Sequence, residues 1–162
     1  MHRLEHVLSS LVERIDTPSP IVLVDVMQRN IDRMQAFAAE HNLDLRPHVK
    51  THKCVEIGRR QLAAKTNGIT AGNVGEAEVF ATAGFDDIFL AYPLWPSGTK
   101  AKRIRQLAET TRLQVGVDNA AAIDALADAM GDEPDRLQVV VEIDCGARRS
   151  GAPPEAAGEL AL

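Results

Sequence analysis

The feature that most constrains the fold is a regular alternation of short apolar runs with longer segments of helical spacing. Runs rich in Val, Ile and Leu begin near residues 44, 69, 87, 113 and 138, and such runs are typical of buried β-strands. Segments with the apolar spacing of a helix follow them, among them VGEAEVFATAG, GTKAKRIRQLAETT and NAAAIDALADAM. Strand starts 18 to 26 residues apart, with helices between them, predict a parallel α/β sheet with right-handed crossovers.

An earlier apolar run, PIVLVDV at residues 20–26, is also predicted to be a strand, and MQRNIDRMQAFAAEH after it to be a helix. We assign residues 1–26 to a helix and a strand that precede the parallel α/β domain. Residues 27–162 are assigned to the parallel α/β domain.

Two parallel architectures fit the order of elements: an open doubly wound sheet and a (β/α)8 barrel. The first calls for a G-x-G-x-x-G loop after a strand, and the sequence contains neither that loop nor a Walker-type phosphate loop. A barrel carries its functional side chains at the carboxyl ends of its strands. The predicted strand ends bear side chains of this kind, namely Lys50, Thr70, Tyr92, Asp118 and Asp144. We therefore predict a partial (β/α)8 TIM-type barrel with about five βα units.

Five units are fewer than the eight of a closed barrel, and an open barrel leaves strand edges unpaired. The last residues, GELAL, lie within a predicted helix. We expect the sequence to be the N-terminal part of a longer barrel enzyme and to be inactive or severely impaired by itself.

Charge and composition exclude several classes of partner. The formal net charge of −5 would repel nucleic acids and anionic membranes, and an aromatic content of 4% leaves little for base stacking. No apolar run approaches the ~20 residues of a membrane span, and the charged N-terminus is unlike a secretory signal. Cys54 and Cys145 are far apart and predicted to be reduced thiols. We expect a cytoplasmic protein that binds a small molecule.

The basic segment LRPHVKTHK, residues 45–53, is denser in cationic and imidazole groups than any other part of the chain. One interpretation is a zinc site formed by His48, His52 and Cys54. Pro47 disfavours the helix that would bring the two histidines together. A second interpretation is a solvated basic turn without chemistry.

A third interpretation is a lysine that binds a carbonyl group. A lysine at the end of a barrel strand is expected to be partly desolvated and, here, to lie among the cations Arg46 and Lys53. Both effects lower the pKa of an ammonium group and release the neutral amine that forms a Schiff base. The same positive surroundings suit an anionic cofactor such as a phosphate ester.

Three motifs in the same order resemble those of the D-serine dehydratase / D-threonine aldolase family: LRPHVKTHK, VGEAEVFATAGFDDIFLAYP and VEIDCGARRSG. The resemblance extends at intervals from about residue 17 to residue 154. It implies the alanine-racemase-like barrel of fold-type III enzymes that use pyridoxal 5'-phosphate (PLP). By this resemblance Lys50, rather than its competitor Lys53, holds PLP through a Schiff base.

The resemblance also implies roles for residues around the lysine. Arg149, in DCGARRSG, would approach the phenolic oxygen of PLP, and its structural alternative is a salt bridge to Asp144 or Glu142. Tyr92 would line the pocket, the alternative being a core tyrosine. His48 and Thr70 are further candidate cofactor-binding residues.

Three other polar or aromatic features have plainer interpretations. Asn73 more readily caps a helix than binds a cofactor, and the acidic residues of GEAE suit a helix N-terminus. Trp95, in the proline-rich loop YPLWPSG, is either a determinant of substrate access or an exposed loop residue.

By the same resemblance, Glu142 falls at the position of a modified lysine in some bacterial alanine racemases. This departure argues against plain racemisation.

The activity implied by the resemblance is that of a lyase acting on D-configured 3-hydroxy amino acids. FDDIFLAYP resembles the D-serine dehydratase branch more closely, and retro-aldol cleavage of D-threonine is the alternative. Racemisation and non-catalytic PLP binding are two further alternatives. The predicted strand at residues 20–26 argues against the last, because the resemblance implies that residues 1–26 pack with a C-terminal β domain outside this sequence. The resemblance further implies a homodimer and a divalent metal ion, zinc or manganese, whose ligands lie outside this sequence.

Overall fold

The computed structural model describes residues 2–12, 14–16 and 18–162. The described residues form two compact units, residues 1–30 and residues 31–162. The first contains α1 (His2–Val12), and α2 (Val24–Glu40) begins in it. No helix in the described ranges combines the length and the apolar character needed to cross a bilayer.

The second unit alternates helices and strands along the chain. In chain order its elements are a 3₁₀ helix (Val49–Thr51), α3 (Val55–Ala63), β1 (Ile69–Ala71), α4 (Val74–Thr82), β2 (Asp87–Leu90), α5 (Thr99–Thr110), β3 (Arg112–Val117), α6 (Ala120–Met130), a 3₁₀ helix (Pro134–Arg136), β4 (Leu137–Val141) and α7 (Pro154–Leu160). The helices lie where the apolar spacing predicts them.

The strands form one parallel sheet in the order β1-β2-β3-β4. Each strand therefore pairs with its successor in the chain, as in a barrel wall, whereas a doubly wound sheet reverses its strand order. The helices between the strands lie side by side, because α4 contacts α5 and α5 contacts α6. The sheet confirms the predicted partial barrel of the (β/α)8 type.

The core lies between the sheet and these helices. Its largest fully buried side chains include Ile69 of β1, Phe80 of α4, Ile88 of β2, Ile104 of α5, Leu113 of β3 and Leu126 of α6. Burial of each such side chain contributes on the order of 1.5–3 kcal/mol. The core therefore holds three strands and three helices together, and it orients the carboxyl ends of the strands toward one edge.

The predicted strand at residues 20–26 is wrong. Residues 20–23 form no regular element, and residues 24–26 are the first turn of α2. A β-branched run becomes a strand only where a neighbouring strand pairs with it. Here the helical spacing that follows extends back to Val24, and Asp25 suits the positive end of the helix dipole. The packing of this segment with a further domain stays a prediction.

The predicted strand near residues 43–49 forms only in part. Its backbone runs beside β1, with hydrogen bonds from Asn67 N to Leu45 O (3.0 Å) and from Thr70 N to Pro47 O (2.9 Å). One parallel bridge, between His48 and Thr70, lies outside the named strands. Pro47 has no N–H to donate, and the chain turns into a 3₁₀ helix at Val49, so the pairing goes no further.

Candidate functional site

The carboxyl ends of the four parallel strands meet at one edge of the sheet, as the barrel prediction requires. Tyr92 lies two residues beyond β2, Asp118 directly follows β3, and Asp144 lies three residues beyond β4. Thr70 differs from the prediction, because it is buried in the middle of β1 and donates its hydroxyl to Arg46 O at 2.8 Å. This hydrogen bond favours a structural role for Thr70.

Lys50 is the middle residue of the 3₁₀ helix Val49–Thr51, immediately beyond the segment that runs beside β1. Its backbone N–H donates to His48 Nδ1 at 3.3 Å. The side chain is exposed, so the expectation of partial desolvation is wrong for the described structure. Among the described residues no carboxylate lies within ion-pairing distance of its ammonium nitrogen. The amine at this edge is therefore accessible to an incoming carbonyl group.

Arg46 does not belong to the surroundings of Lys50, contrary to expectation. Its guanidinium forms a two-pronged ion pair with Asp87, with Nε 2.7 Å from Oδ1 and Nη2 2.9 Å from Oδ2. Asp87 is buried at the amino end of β2, and Arg112, at the amino end of β3, also contacts it (3.1 Å). The hydrogen bond from Arg46 to Asp87 raises the pKa of Arg46. The Arg46 guanidinium therefore lies at the amino edge of the sheet, opposite to the edge that carries Lys50.

Lys53 is also neutralised, by Glu76 in the first turn of α4. Lys53 Nζ lies 3.1 Å from Glu76 Oε1, and Gly72 N donates to Glu76 Oε2 at 2.8 Å. Burial opposes the ionisation of Glu76, but the hydrogen bonds from Gly72 and Lys53 outweigh it and hold its pKa below the usual value. The basic segment thus contains one paired lysine and one accessible lysine.

The two histidines of the basic segment act as turn caps. His48 Nδ1 accepts from Lys50 N, and His52 Nδ1 accepts from Cys54 N at 3.1 Å. Burial lowers the pKa of both imidazoles, which favours the neutral form that accepts these hydrogen bonds. No group of three or more His, Cys, Asp or Glu side chains suited to a metal ion occurs in the described part of the chain. The zinc interpretation therefore has no support.

The DCGARRSG loop after β4 is shaped by backbone contacts to aspartates. Asp144 Oδ1 accepts from Arg148 N (3.0 Å) and Gly146 N (2.9 Å), and these bonds lower the pKa of Asp144. Gly151 has φ +104°, and a Cβ there would lie 2.5 Å from Asp144 N, so the turn requires glycine. Asp118 Oδ2 accepts from Gly151 N at 3.2 Å and fastens the loop to the end of β3.

Arg149 lies against Tyr92, with its guanidinium carbon 5.6 Å from the centre of the ring. It forms no ion pair with Asp144 or Glu142 within the residues that the structure describes. Glu142 instead accepts a hydrogen bond from Ser150 Oγ (3.0 Å). Tyr92 is half exposed, so the core alternative is wrong. An arginine over an aromatic face keeps its N–H groups available to an anionic oxygen.

Two hollows flank the loop that follows β2. One, of about 540 Å³, has Gly72, Tyr92, Trp95 and Lys100 among its lining residues. The other, of about 220 Å³, is lined by Tyr92, Asp118 and Arg149 among others. Trp95 is exposed and lines both hollows. The loop that contains Tyr92 and Trp95 is therefore flanked by two open concave surfaces, and Arg149 lines the smaller of them.

Glu76 and Asp87 have structural roles that the sequence analysis did not identify. The predicted capping by Asn73 is confirmed, because Asn73 Oδ1 accepts from Glu76 N at 2.9 Å. The spacing N-x-x-E is typical of a capping box, which identifies Glu76 as a first-turn residue but not as the partner of Lys53. Nothing local to Asp87 indicates that it is buried against two arginines.

Comparisons with known proteins give a consistent family. The family model of the alanine racemase N-terminal domain matches residues 22–162. A D-threonine aldolase from Arthrobacter sp. is 38% identical over 143 residues, covering 88% of this chain and 38% of that protein. A D-serine dehydratase from Dictyostelium discoideum is 34% identical over 154 residues, covering 89% of this chain and 38% of that protein.

Structural similarity agrees with the sequence. The crystal structure of D-threonine aldolase from Filomicrobium marinum superposes with a TM-score of 0.84 at 36% identity, covering 90% of this chain and 40% of that chain. The chain spans about two fifths of the length of these proteins. The match of motifs, strand order and overall superposition shows that the chain belongs to the alanine racemase N-terminal domain family.

Proposed function

We propose that the whole protein is a PLP-dependent lyase acting on D-3-hydroxy amino acids, and that Lys50 holds the cofactor. The observation that carries this proposal is the accessible Lys50 amine, without a carboxylate partner among the described residues, at the carboxyl edge of a barrel-type sheet. Relatives named D-threonine aldolase and D-serine dehydratase support the lyase class. A homodimer is part of the same proposal.

The donors at this edge fit PLP. The cofactor has an aldehyde, which needs a primary amine, and a phenolic oxygen, which needs a cationic donor. Lys50 supplies the amine. Arg149 supplies a guanidinium that has no carboxylate partner among the described residues and lies over the ring of Tyr92. The exposed Lys50 amine and the Arg149 guanidinium, both beyond the carboxyl ends of strands, support the proposal that this edge holds PLP.

Attachment needs no redox partner. Lys50 would hold PLP through its amine, which would bond to the cofactor's aldehyde carbon with loss of water. Arg149 would donate to the phenolic oxygen, and Tyr92 would orient Arg149 and line the substrate side. His48 would orient the lysine through the hydrogen bond from Lys50 N.

When bound, PLP supplies an electron sink for the α-carbon of the amino acid. The residues of this chain then determine the position of the amine and of the proton that it moves. Lys50 would be suited to act as general base at the α-carbon of the substrate. A divalent metal ion, zinc or manganese, would act as Lewis acid at the substrate hydroxyl. We propose that its ligands come from residues outside those described here.

The choice between elimination and aldol cleavage rests on motif resemblance and on the names of relatives. FDDIFLAYP favours D-serine dehydration by resemblance, and dehydration is the activity that we propose. Asp87 of that motif is buried against Arg46 at the amino end of the strands, so part of the motif's resemblance concerns the fold. The second candidate is retro-aldol cleavage of D-threonine, supported by the relative named D-threonine aldolase, which is 38% identical. A relative named D-threo-3-hydroxyaspartate dehydratase has the same 38% identity, so both reactions are kept in the test below.

The assignment of Lys50 is tested by chemical trapping. The protein is incubated with limiting PLP, reduced with borohydride, digested and mapped by mass spectrometry. We expect the reduced adduct at Lys50 and its loss in Lys50→Arg, which retains the positive charge. An adduct that remains undiminished elsewhere in Lys50→Arg, or that never forms at Lys50 in the wild type, would overturn the assignment.

The activity is tested on the whole protein with D-serine and D-threonine, each with and without zinc or manganese. Pyruvate and ammonia from D-serine identify a dehydratase, and glycine with acetaldehyde from D-threonine identifies an aldolase. Racemised substrate would indicate the racemase alternative. No turnover of either substrate, with PLP bound at Lys50, would indicate a non-catalytic PLP-binding protein and refute the lyase proposal.

A further inference from the structure

The basic segment presents two lysines, Lys50 and Lys53, three residues apart, and both have exposed side chains. Either amine is chemically able to attack an aldehyde. Their surroundings differ in one respect. Lys53 Nζ lies 3.1 Å from Glu76 Oε1, whereas no carboxylate within the described residues pairs with Lys50. Glu76 is therefore the group that pairs one of the two amines and leaves the other without an ion pair among the described residues.

Glu76 is itself held in place by the fold. Its side chain is only 11% exposed, and Oε2 accepts the backbone N–H of Gly72 at 2.8 Å. In a capping box the glutamate bonds the N-cap residue. Here the N-cap is Asn73, and Glu76 instead reaches the residue before it, which leaves Oε1 directed at Lys53. The Glu76 carboxylate is thus an anchor for Lys53: the fold fixes its position, and the exposed Lys53 side chain pairs with it.

The same anchor lies beside Lys50. A Cβ added at Gly72 would lie 3.1 Å from Glu76 Oε2, 3.6 Å from His48 Cε1 and 3.6 Å from Lys50 Cβ. Gly72 therefore separates the carboxylate from the accessible lysine by one backbone unit. Lys53 follows in a left-handed conformation, φ +49°.

The ion pair holds the Lys53 nitrogen 3.1 Å from Glu76 Oε1, and it must separate before that nitrogen can reach a carbonyl carbon. Pairing of Lys53 therefore withholds that amine while Lys50 stays available. We propose that Glu76 is a positioning residue that determines which lysine of the basic segment takes the aldehyde, by holding the Lys53 side chain in an ion pair. This inference rests on the proposed function, because it assumes that Lys50 reacts with PLP.

The experiment measures how a limiting amount of PLP divides between lysines. After borohydride reduction and digestion, adducts at Lys50 and Lys53 are quantified by mass spectrometry relative to the exposed reference lysine Lys65. In Glu76→Gln we expect the Lys53 adduct to increase about two- to fivefold relative to Lys65, the range for an ion pair with one exposed partner. The Lys50 share should fall correspondingly.

Matched controls separate pairing from general damage. Glu78→Gln, two residues along α4, removes a carboxylate that pairs with Arg103, and should leave the Lys53 to Lys65 ratio unchanged. Glu76→Asp keeps a carboxylate that the 65%-exposed Lys53 side chain is able to reach, and should retain the wild-type ratio. Circular dichroism checks the fold of each variant.

A salt titration of the wild type needs no substitution. Raising the ionic strength screens the pair, so the Lys53 to Lys65 ratio should rise toward its value in Glu76→Gln. An unchanged ratio both in Glu76→Gln and at high salt would overturn the inference while leaving Lys50 as the cofactor lysine. Absence of a Lys50 adduct in the wild type would instead overturn the proposed function itself.

Discussion

Removal of the Asp87 carboxylate is the sharpest test of how the sheet is held together. Asp87 is 3% exposed and contacts Arg46 at 2.7 and 2.9 Å and Arg112 at 3.1 Å. Breaking a buried ion pair costs about 3–5 kcal/mol, because the remaining charge loses its partner. The Arg46 side chain is 24% exposed, so water partly compensates it. We therefore expect Asp87→Ala to lower the free energy of unfolding by about 3 kcal/mol.

Urea unfolding measures this loss. With a slope of about 2 kcal/mol per molar urea, the midpoint should fall by about 1.5 M at unchanged slope. The matched control is Arg112→Gln. The Arg112 side chain is 76% exposed, and its pair with Asp87 should contribute less than about 1 kcal/mol. If Asp87→Ala shifted the midpoint no further than Arg112→Gln, the argument that the buried Arg46 pair fastens residues 45–48 to the sheet would be refuted.

Two further predictions concern helix packing and acid stability. Gly58→Ala should destabilise the protein by about 1–3 kcal/mol, because the new methyl group would lie 2.9 Å from the rings of Phe80 and Phe85. The same change at Gly158, which has open space around it, should stabilise α7 by about 0.5–1 kcal/mol. Thermal unfolding and hydrogen exchange distinguish the two signs. Hydrogen bonds from Arg103 hold the pKa of Glu78 below its usual value, so its contribution to stability is present above the unfolded carboxyl pKa of about 4.3 and is lost as the pH falls through the lower folded value. Glu78→Gln should therefore show a shallower loss of stability in acid titrations followed by circular dichroism, and an unchanged acid slope would contradict that assignment.

Periodicity predicted the elements of the second unit well because it is a local property. The helical spacing in VGEAEVFATAG and NAAAIDALADAM placed α4 and α6, and Asn73 and Asn119 cap them as their side-chain chemistry suggests. Periodicity failed at residues 20–26, where the run is β-branched but its last residues belong to a helix. Strand formation depends on a partner strand, and no local pattern reports one.

The candidate site likewise has features that a local sequence pattern predicted and features that contacts between distant residues decided. The basic segment by itself indicated a reactive lysine and its competitor, since a lysine-rich turn after an extended segment is a local pattern. Which cations surround Lys50 was decided by contacts between distant residues. Arg46 pairs with Asp87, 41 positions away, and Lys53 with Glu76, so both charges that were expected to surround the lysine are neutralised.

The sequence alone determined the parallel α/β order, the positions of most helices and the motif that contains Lys50. These depend on spacing and side-chain chemistry within a few residues. Only the tertiary structure decided that Arg149 lies over Tyr92, that Asp144 and Asp118 shape the loop that carries this arginine, and that Glu76 engages one lysine and not the other. Those contacts arise when parallel strands bring their carboxyl ends to one edge, which the order of residues along the chain does not specify.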